Sequence, residues 1–209
     1  MRPPPARRHF HEELDLLQVR AMEMAGLAED LVRRAVEAFL ARDGDALARI
    51  REDDRRIDAL EIELDERVVQ LIALHQPMAG DLRQVFTTLK ISNDLERVGD
   101  HALNIAKASR RLAGFPPLPE IPQMAELALL ARRMLQDSLA SFGTRNSALA
   151  REVCARDDRV DDMRRAVHRI LVGLMGEDSR RIGAALEYVR VSQQLERILA
   201  GYSQDGWRK

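Results

Sequence analysis

The sequence predicts an all-α protein, two three-helix bundles in tandem, and three observations predict it. Apolar residues recur at spacings of three and four over long stretches, the period of a helix buried along one face. No segment sustains the period-two alternation of a strand. The chain also repeats itself. Leu89-Lys90-Ile91-Ser92-Asn93-Asp94-Leu95-Glu96-Arg97-Val98 aligns without gaps with Val189-Arg190-Val191-Ser192-Gln193-Gln194-Leu195-Glu196-Arg197-Ile198. Asp54-Arg55-Arg56-Ile57-Asp58 aligns with Asp157-Asp158-Arg159-Val160-Asp161, at an offset that Phe39 and Phe142 share. Chance similarity of two amphipathic helices reproduces apolar positions, but not Ser, Leu-Glu-Arg and an Asp-x-x-x-Asp spacing together. Duplication of a three-helix unit is therefore favoured.

In chain order, residues 1–8, with three consecutive prolines and scattered Arg, are expected to form a flexible arm. The first bundle is placed at 9–113. Leu14, Leu17, Ala21, Met24, Ala28, Leu31, Ala35 and Phe39 mark one face of its first helix, which Asp43-Gly44-Asp45 breaks, with Asp45 as the expected N-cap of the next. Ile50, Ile57, Leu60, Leu64, Val68 and Leu71 carry the second helix to His75. Gln76-Pro77 ends it, because proline lacks the N–H donor and restricts the residue before it. Leu82, Val85, Leu89, Ile91, Leu95, Val98, Ala102 and Ile105 carry the third. The Pro-rich stretch 114–120 is the expected linker. The second bundle takes 121–209. Its first helix runs from about Ile121 to Phe142; Val153, Val160, Met163, Val167, Ile170 and Leu174 mark the next; Ile182, Leu186, Val189, Leu195 and Ile198 mark the last.

Composition excludes several classes. With 33 Lys+Arg against 34 Asp+Glu in 209 residues, the chain does not grip nucleic acid through bulk positive charge. One cysteine, Cys154, builds neither a disulfide framework nor a zinc knuckle, and a reducing cytosol is the default compartment. The basic N-terminus has no apolar run behind it, unlike a signal peptide, and no stretch has the uninterrupted apolar length of a membrane span.

The candidate chemistry lies in carboxylates. Asn93, Glu96, Asp100 and Asn104 form one polar stripe on the third helix. Glu96 and Asp100, four residues apart, are side by side, at a cost of a few tenths of a kcal/mol (~0.2–0.5) if uncompensated. Glu96 has no Lys or Arg three or four positions away, and Gly99 beside it leaves the backbone uncovered in mid-helix. The second helix carries a matching stripe, Asp54, Asp58, Glu61 and Asp65. Antiparallel packing across the tight Gln76-Pro77 turn brings Asp54 and Asp58 opposite Glu96 and Asp100. Converging carboxylates repel unless a cation sits among them, and oxygen ligands suit hard cations such as Mg, Mn or iron. The competing reading is a pair of solvated faces, with Arg51 and Arg55 spaced to pair with Asp54 and Asp58, and Arg97 with Asp100. The Glu-x-x-His signature of di-iron bundles is absent, as is a Gly-rich phosphate loop. His75 and His168 read as helix-surface residues and His101 as an outer ligand at most. Met22, Met24, Met78 and Met163 read as core filler.

The chain resembles the PhoU family of phosphate-signalling proteins. The resemblance runs from about His9 to Arg197, and its most specific stretches are Gln76-Pro77-Met78-Ala79-Gly80-Asp81-Leu82-Arg83 and Leu95-Glu96-Arg97-Val98-Gly99-Asp100-His101-Ala102-Leu103-Asn104-Ile105-Ala106. It implies two tandem three-helix bundles, each with a metal site made from paired Glu/Asp-x-x-x-Asp motifs. It implies a cytoplasmic, dimeric, non-enzymatic negative regulator of phosphate uptake, acting between the phosphate ABC transporter, through its ATPase subunit, and the membrane sensor kinase. Carried over to this chain, the first metal site is Asp54, Asp58, Glu96 and Asp100, with Asn104 nearby, for a divalent or trivalent ion: iron, Mg, Mn or Zn. The second half departs from the pattern. Ala200 stands where Asp100 stands, the last helix is short, and Asp157, Asp161 and Glu196 remain as a partial second set. A carboxylate-bridged metalloenzyme of helical-bundle type is the alternative to the adaptor.

Overall fold

In the computed structural model, residues 5–144 and 146–203 are described, with side chains for 9–144 and 146–199. The chain forms α1 (Pro5–Leu40), α2 (Ala46–His75), α3 (Ala79–Leu112), α4 (Pro122–Gly143), α5 (Ser147–Cys154), α6 (Asp157–Glu177) and α7 (Ile182–Ser203), with one 3-10 turn, Ser179–Arg181, before α7. No strand occurs among the described residues.

α1 begins inside the stretch expected to be a flexible arm, which corrects that expectation for residues 5–8. A proline at the first helical position lacks only an N–H that no helix would satisfy there, and its fixed φ suits the helix. Residues 1–4 lie outside the described part. From Leu14 to Phe39 the apolar stripe of α1 is buried throughout, against α2 and α3. At the first turn Asp45 holds the N-cap position of α2, but its side chain makes no capping bond; Asp43 Oδ1 instead accepts the Asp45 N–H at 2.9 Å. The α2–α3 turn is as the sequence expects. α2 stops at His75, and Gln76 turns left-handed (φ 45°, ψ 55°) with its N–H donating to Ile72 O at 3.0 Å before Pro77. Met78 is exposed at this tip and Met22 is partly exposed, so of the four methionines expected in the core only Met24 is fully buried, while Met163 packs against its edge.

In the second half, Pro122 opens α4 and Asn146 caps α5, its Oδ1 accepting the N–H groups of Ala148 and Leu149, each at 3.1 Å. The second helix of this half is in two pieces, α5 and α6, parted at Ala155–Arg156. The Arg156 guanidinium pairs with Asp137 on α4, and Asp157 and Asp158 place negative charge in the first turn of α6.

The repeat is visible in what is buried. Ile57, Leu64 and Val68 of α2 match Val160, Val167 and Leu171 of α6, all buried. Ile91, Leu95 and Val98 of α3 match Val191, Leu195 and Ile198 of α7, also buried. Ser92 and Ser192 both donate to the carbonyl three residues earlier, at 2.9 and 2.8 Å. α3 packs on α7 and α1 on α4, so one continuous aliphatic core spans both halves. Fully burying each such Leu or Ile contributes roughly 1.5–3 kcal/mol.

Candidate metal centre

Three consecutive acids on α2 meet different fates. Glu52 pairs with Arg55 at 2.9 Å. Asp53 pairs with Arg34 of α1 at 2.6 Å and with Arg56 at 3.2 Å, and the Arg34 hydrogen bond holds its carboxyl below the usual range. Asp54 points the other way, to α3, and is buried with no ion pair among the described residues. The pairing that would make these stripes ordinary solvated faces is therefore not formed: Arg55 goes to Glu52, and neither Arg51 nor Arg97 bridges to Asp54, Asp58 or Asp100.

Gly99 lets Asp54 in. A β-carbon at 99 would lie 2.9 Å from Asp54 Oδ1 and 3.3 Å from Ile57 Cδ1, so the bare α-carbon leaves the room that the Asp54 carboxylate occupies against α3. Burial, then the charges of Asp58 and Asp100, push the Asp54 carboxyl up to about 6, against a weaker opposite pull from Lys107. Asp58 is raised by burial and by Asp100. Glu96 is raised by burial and then by Asp100, Asp58, Glu61 and Asp54. The antiparallel register thus brings together the four carboxylates that the sequence singles out. It adds Glu61, raised by burial, Asp65 and Asp58, as a fifth member felt at Glu96.

These side chains share a field without chelating. Among the described residues, no three of His, Cys, Asp or Glu are gathered tightly enough around one point to hold an ion as they stand. The donor set nonetheless fits a hard cation. It is all oxygen, no Arg or Lys among the described residues bridges to it, and its most buried member titrates at about 6, raised by burial first and by the facing Asp58 and Asp100 second. His101 is not part of it. Its Nδ1–H donates to Gln194 Oε1 on α7 at 2.9 Å, and burial, with Arg197 and Arg97 nearby, holds its pKa down.

The sequence profile of the PhoU domain matches residues 21–109 and again 124–200, one match in each half. The chain belongs to the PhoU family. It is 36% identical over 193 residues to a protein of Clostridium acetobutylicum named phosphate-specific transport system accessory protein PhoU homolog, covering 92% of this chain and 88% of that one. A protein of the same description from Aquifex aeolicus is 34% identical over 186 residues, covering 89% and 84%. The crystal structure of PhoU from Pseudomonas aeruginosa superimposes with a TM-score of 0.88 at 32% identity, covering 93% of each chain.

Within this PhoU fold the second half treats its acids differently. Asp157 is the first residue of α6, whereas Asp54 lies well inside α2. Asp161 and Glu196 do come near each other across α6 and α7, but Arg164 stands with them: its Nε is 3.4 Å from Glu196 Oε2 and 3.9 Å from Asp161 Oδ1. Arg165 lies 3.8 Å from Asp161 as well. Leu199, buried, holds the place that Gly99 holds in α3. The side chain of Ala200 lies outside the described residues.

Proposed function

We propose that the chain is a regulatory adaptor of phosphate uptake and phosphate-starvation signalling. In this reading it works in the cytoplasm as a homodimer, docks on the ATPase subunit of the phosphate transporter and on the membrane sensor kinase, and represses. The observation that carries it is the similarity, over 92% of the chain, to a protein named as an accessory protein of a phosphate-specific transport system. A solved relative, the phosphate transport system regulatory protein PhoU from Streptococcus pneumoniae, shares the fold with a TM-score of 0.85 at 26% identity. No helix among the described residues is long and apolar enough to cross a membrane, so contact with the membrane system runs through partners in this reading. The metalloenzyme alternative has no comparable support.

In the same proposal Asp54, Asp58, Glu96 and Asp100 hold one or more hard cations, Mg, Mn or iron before Zn, with Glu61 beside them. A bound ion supplies positive charge, which lets the buried carboxylates ionise together. The chain's own part is to hold the acids on two rigid helices, to exclude arginine from them, and to keep position 99 bare.

Deleting the gene in its host should raise phosphate uptake or starvation-gene expression under phosphate excess, and restoring the gene should reverse it. Unchanged uptake and expression in a host without a second such gene would count against the reading. Co-purification with the transporter ATPase or the sensor kinase, tested separately, assigns the docking partner.

A further inference from the structure

We propose that the second half is a metal-free copy of the first, closed by an internal cation: the Arg164 guanidinium takes the place of an ion between Asp161 and Glu196. Three features of the chain converge on this. Extending the match of Asp58 to Asp161 by three residues sets Glu61 against Arg164, so one copy has an added carboxylate where the other has a permanent positive charge. The geometry follows the charge. Arg164 Nε lies 3.4 Å from Glu196 and 3.9 Å from Asp161, shielded from solvent and closing no hydrogen bond among the described residues, so its role toward them is that of a positive charge. The pairing also bridges α6 to α7, the helices that correspond to α2 and α3.

The remaining features remove the other ligands. The break at Ala155–Arg156 makes Asp157 the opening residue of α6, where its charge favours the helix N-terminus. In the first half the matching acid, Asp54, reaches α3 because Gly99 is bare. In the second, buried Leu199 fills that gap with an isobutyl group, so a carboxylate from α6 has no such seat on α7. A divalent ion approaching Asp161 and Glu196 meets two carboxylates that already share a positive charge between them, on a guanidinium that does not lose its proton near neutral pH. Arginine therefore performs in the second half the tie between helices that the first half leaves to its carboxylates and their counter-ion. The two bundles then answer differently to metal: one responds to its supply and the other keeps its shape regardless.

The test uses the full chain carrying Glu96→Ala and Asp100→Ala, which silences the first set whether or not that set binds metal. Its outcome is therefore separate from that of the function proposed above. Mn²⁺ alone is titrated into this chain and into the same chain with Arg164→Glu, with metal content measured after dialysis. The chain retaining Arg164 should hold no stoichiometric Mn²⁺ and melt at the same temperature with or without it. Arg164→Glu should bind at least about tenfold more tightly and gain melting temperature on Mn²⁺ addition. A stoichiometric ion in the Arg164 chain that disappears with Glu196→Ala overturns the proposal, and so does an Arg164→Glu chain that folds but binds no better. If Arg164→Glu does not fold, Arg164→Gln replaces it. That chain should melt lower than its parent and recover part of the loss when Glu196→Gln removes the facing charge. Absence of both the loss and the recovery overturns the proposal.

Discussion

Arg111 and Glu187 join the two halves of the molecule: Nη2 and Nε of Arg111 on α3 lie 2.7 and 2.8 Å from Oε2 of Glu187 on α7. The other oxygen of Glu187 accepts from Arg190 Nη1 at 2.6 Å, and the carboxylate side chain is only 5% exposed. A buried acid held by two guanidinium groups is costly to lose, because both cations then lack their partner. Arg111 is itself 44% exposed, so water makes good part of that loss. Glu187→Gln should destabilise the fold by about 1–3 kcal/mol in urea unfolding. Arg111→Ala should cost less, since Glu187 keeps Arg190.

The loop that follows α3 is held from the same side. A β-carbon at Gly183, in the first turn of α7, would stand 2.2 Å from the Phe115 ring. Phe115 is partly buried against the core and its carbonyl accepts from Arg42 at 2.6 Å, so the chain is held there and the ring must give up core packing to make room. Gly183→Ala should therefore destabilise by about 1–2 kcal/mol, the overpacking exceeding the helix-propensity gain. The urea midpoint should fall with the slope unchanged.

At Gly99 the same substitution acts on the site before it acts on the fold. The new methyl would displace Asp54 Oδ1 and press on Ile57, both of them ends of side chains that can turn. Restored helix propensity, about 1 kcal/mol, offsets much of the strain. Gly99→Ala should leave melting temperature within a few degrees of the wild type while metal affinity drops at least about tenfold. Metal titration beside thermal unfolding checks it, and an affinity left intact would remove Gly99 from the site.

Glu96→Ala and Asp100→Ala separate the two halves. Each removes one of several mutually repelling carboxylates, so the metal-free fold should keep or slightly raise its stability while metal content falls toward zero. Glu196→Ala should leave metal content unchanged and lower stability, since Arg164 loses its partner on α7. Metal analysis of the three proteins, purified alike without chelator, distinguishes these outcomes.

The parts of the fold visible in the sequence are those set by local rules. The stripe Leu14 to Phe39, the stop at Gln76-Pro77 and the matched pairs Ile57/Val160 and Leu95/Leu195 each follow from period or backbone chemistry, and the structure buries or turns them accordingly. The convergence of Asp54 with Asp58, Glu96 and Asp100 follows too, because one tight turn fixes the register of α2 on α3. What was hidden depends on distant partners. The α5–α6 break rests on the Asn146 cap and on Arg156 finding Asp137 across α4. His101 turns to Gln194, 93 residues away. Arg164 looks, along its own helix, like any surface arginine three residues from an aspartate. Only the alignment with Glu61, carried three positions beyond the Asp-x-x-x-Asp match, would have singled it out.

Asp54 gives the metal-free protein a pH dependence of defined sign. Its carboxyl titrates at about 6 in the fold against an ordinary aspartate value of 3.8, through burial first and the facing Asp58 and Asp100 second. Between those values the folded chain binds more protons than the unfolded chain, so stability falls as pH rises through the window. The contribution is fully present below about 3.8 and gone above about 6, and its size is on the order of 2–3 kcal/mol. Asp58 and Glu96, raised for the same reasons, add in the same direction. Asp54→Asn removes the titration while keeping shape, so the metal-free variant should be more stable than the wild type at pH 7, and its stability should vary less between pH 4 and 6. A bound cation reverses the balance. It competes with the proton for Asp54, so metal affinity should weaken as pH falls below about 6, and excess metal should stabilise the wild type at pH 7 but not Asp54→Asn. Urea unfolding at pH 5 and pH 7, with chelator and with Mn²⁺, reads both effects. A metal-free wild type that gains stability on going from pH 5 to pH 7 would show that Asp54 is ionised without cost, and that the site has no charge deficit for a metal to fill.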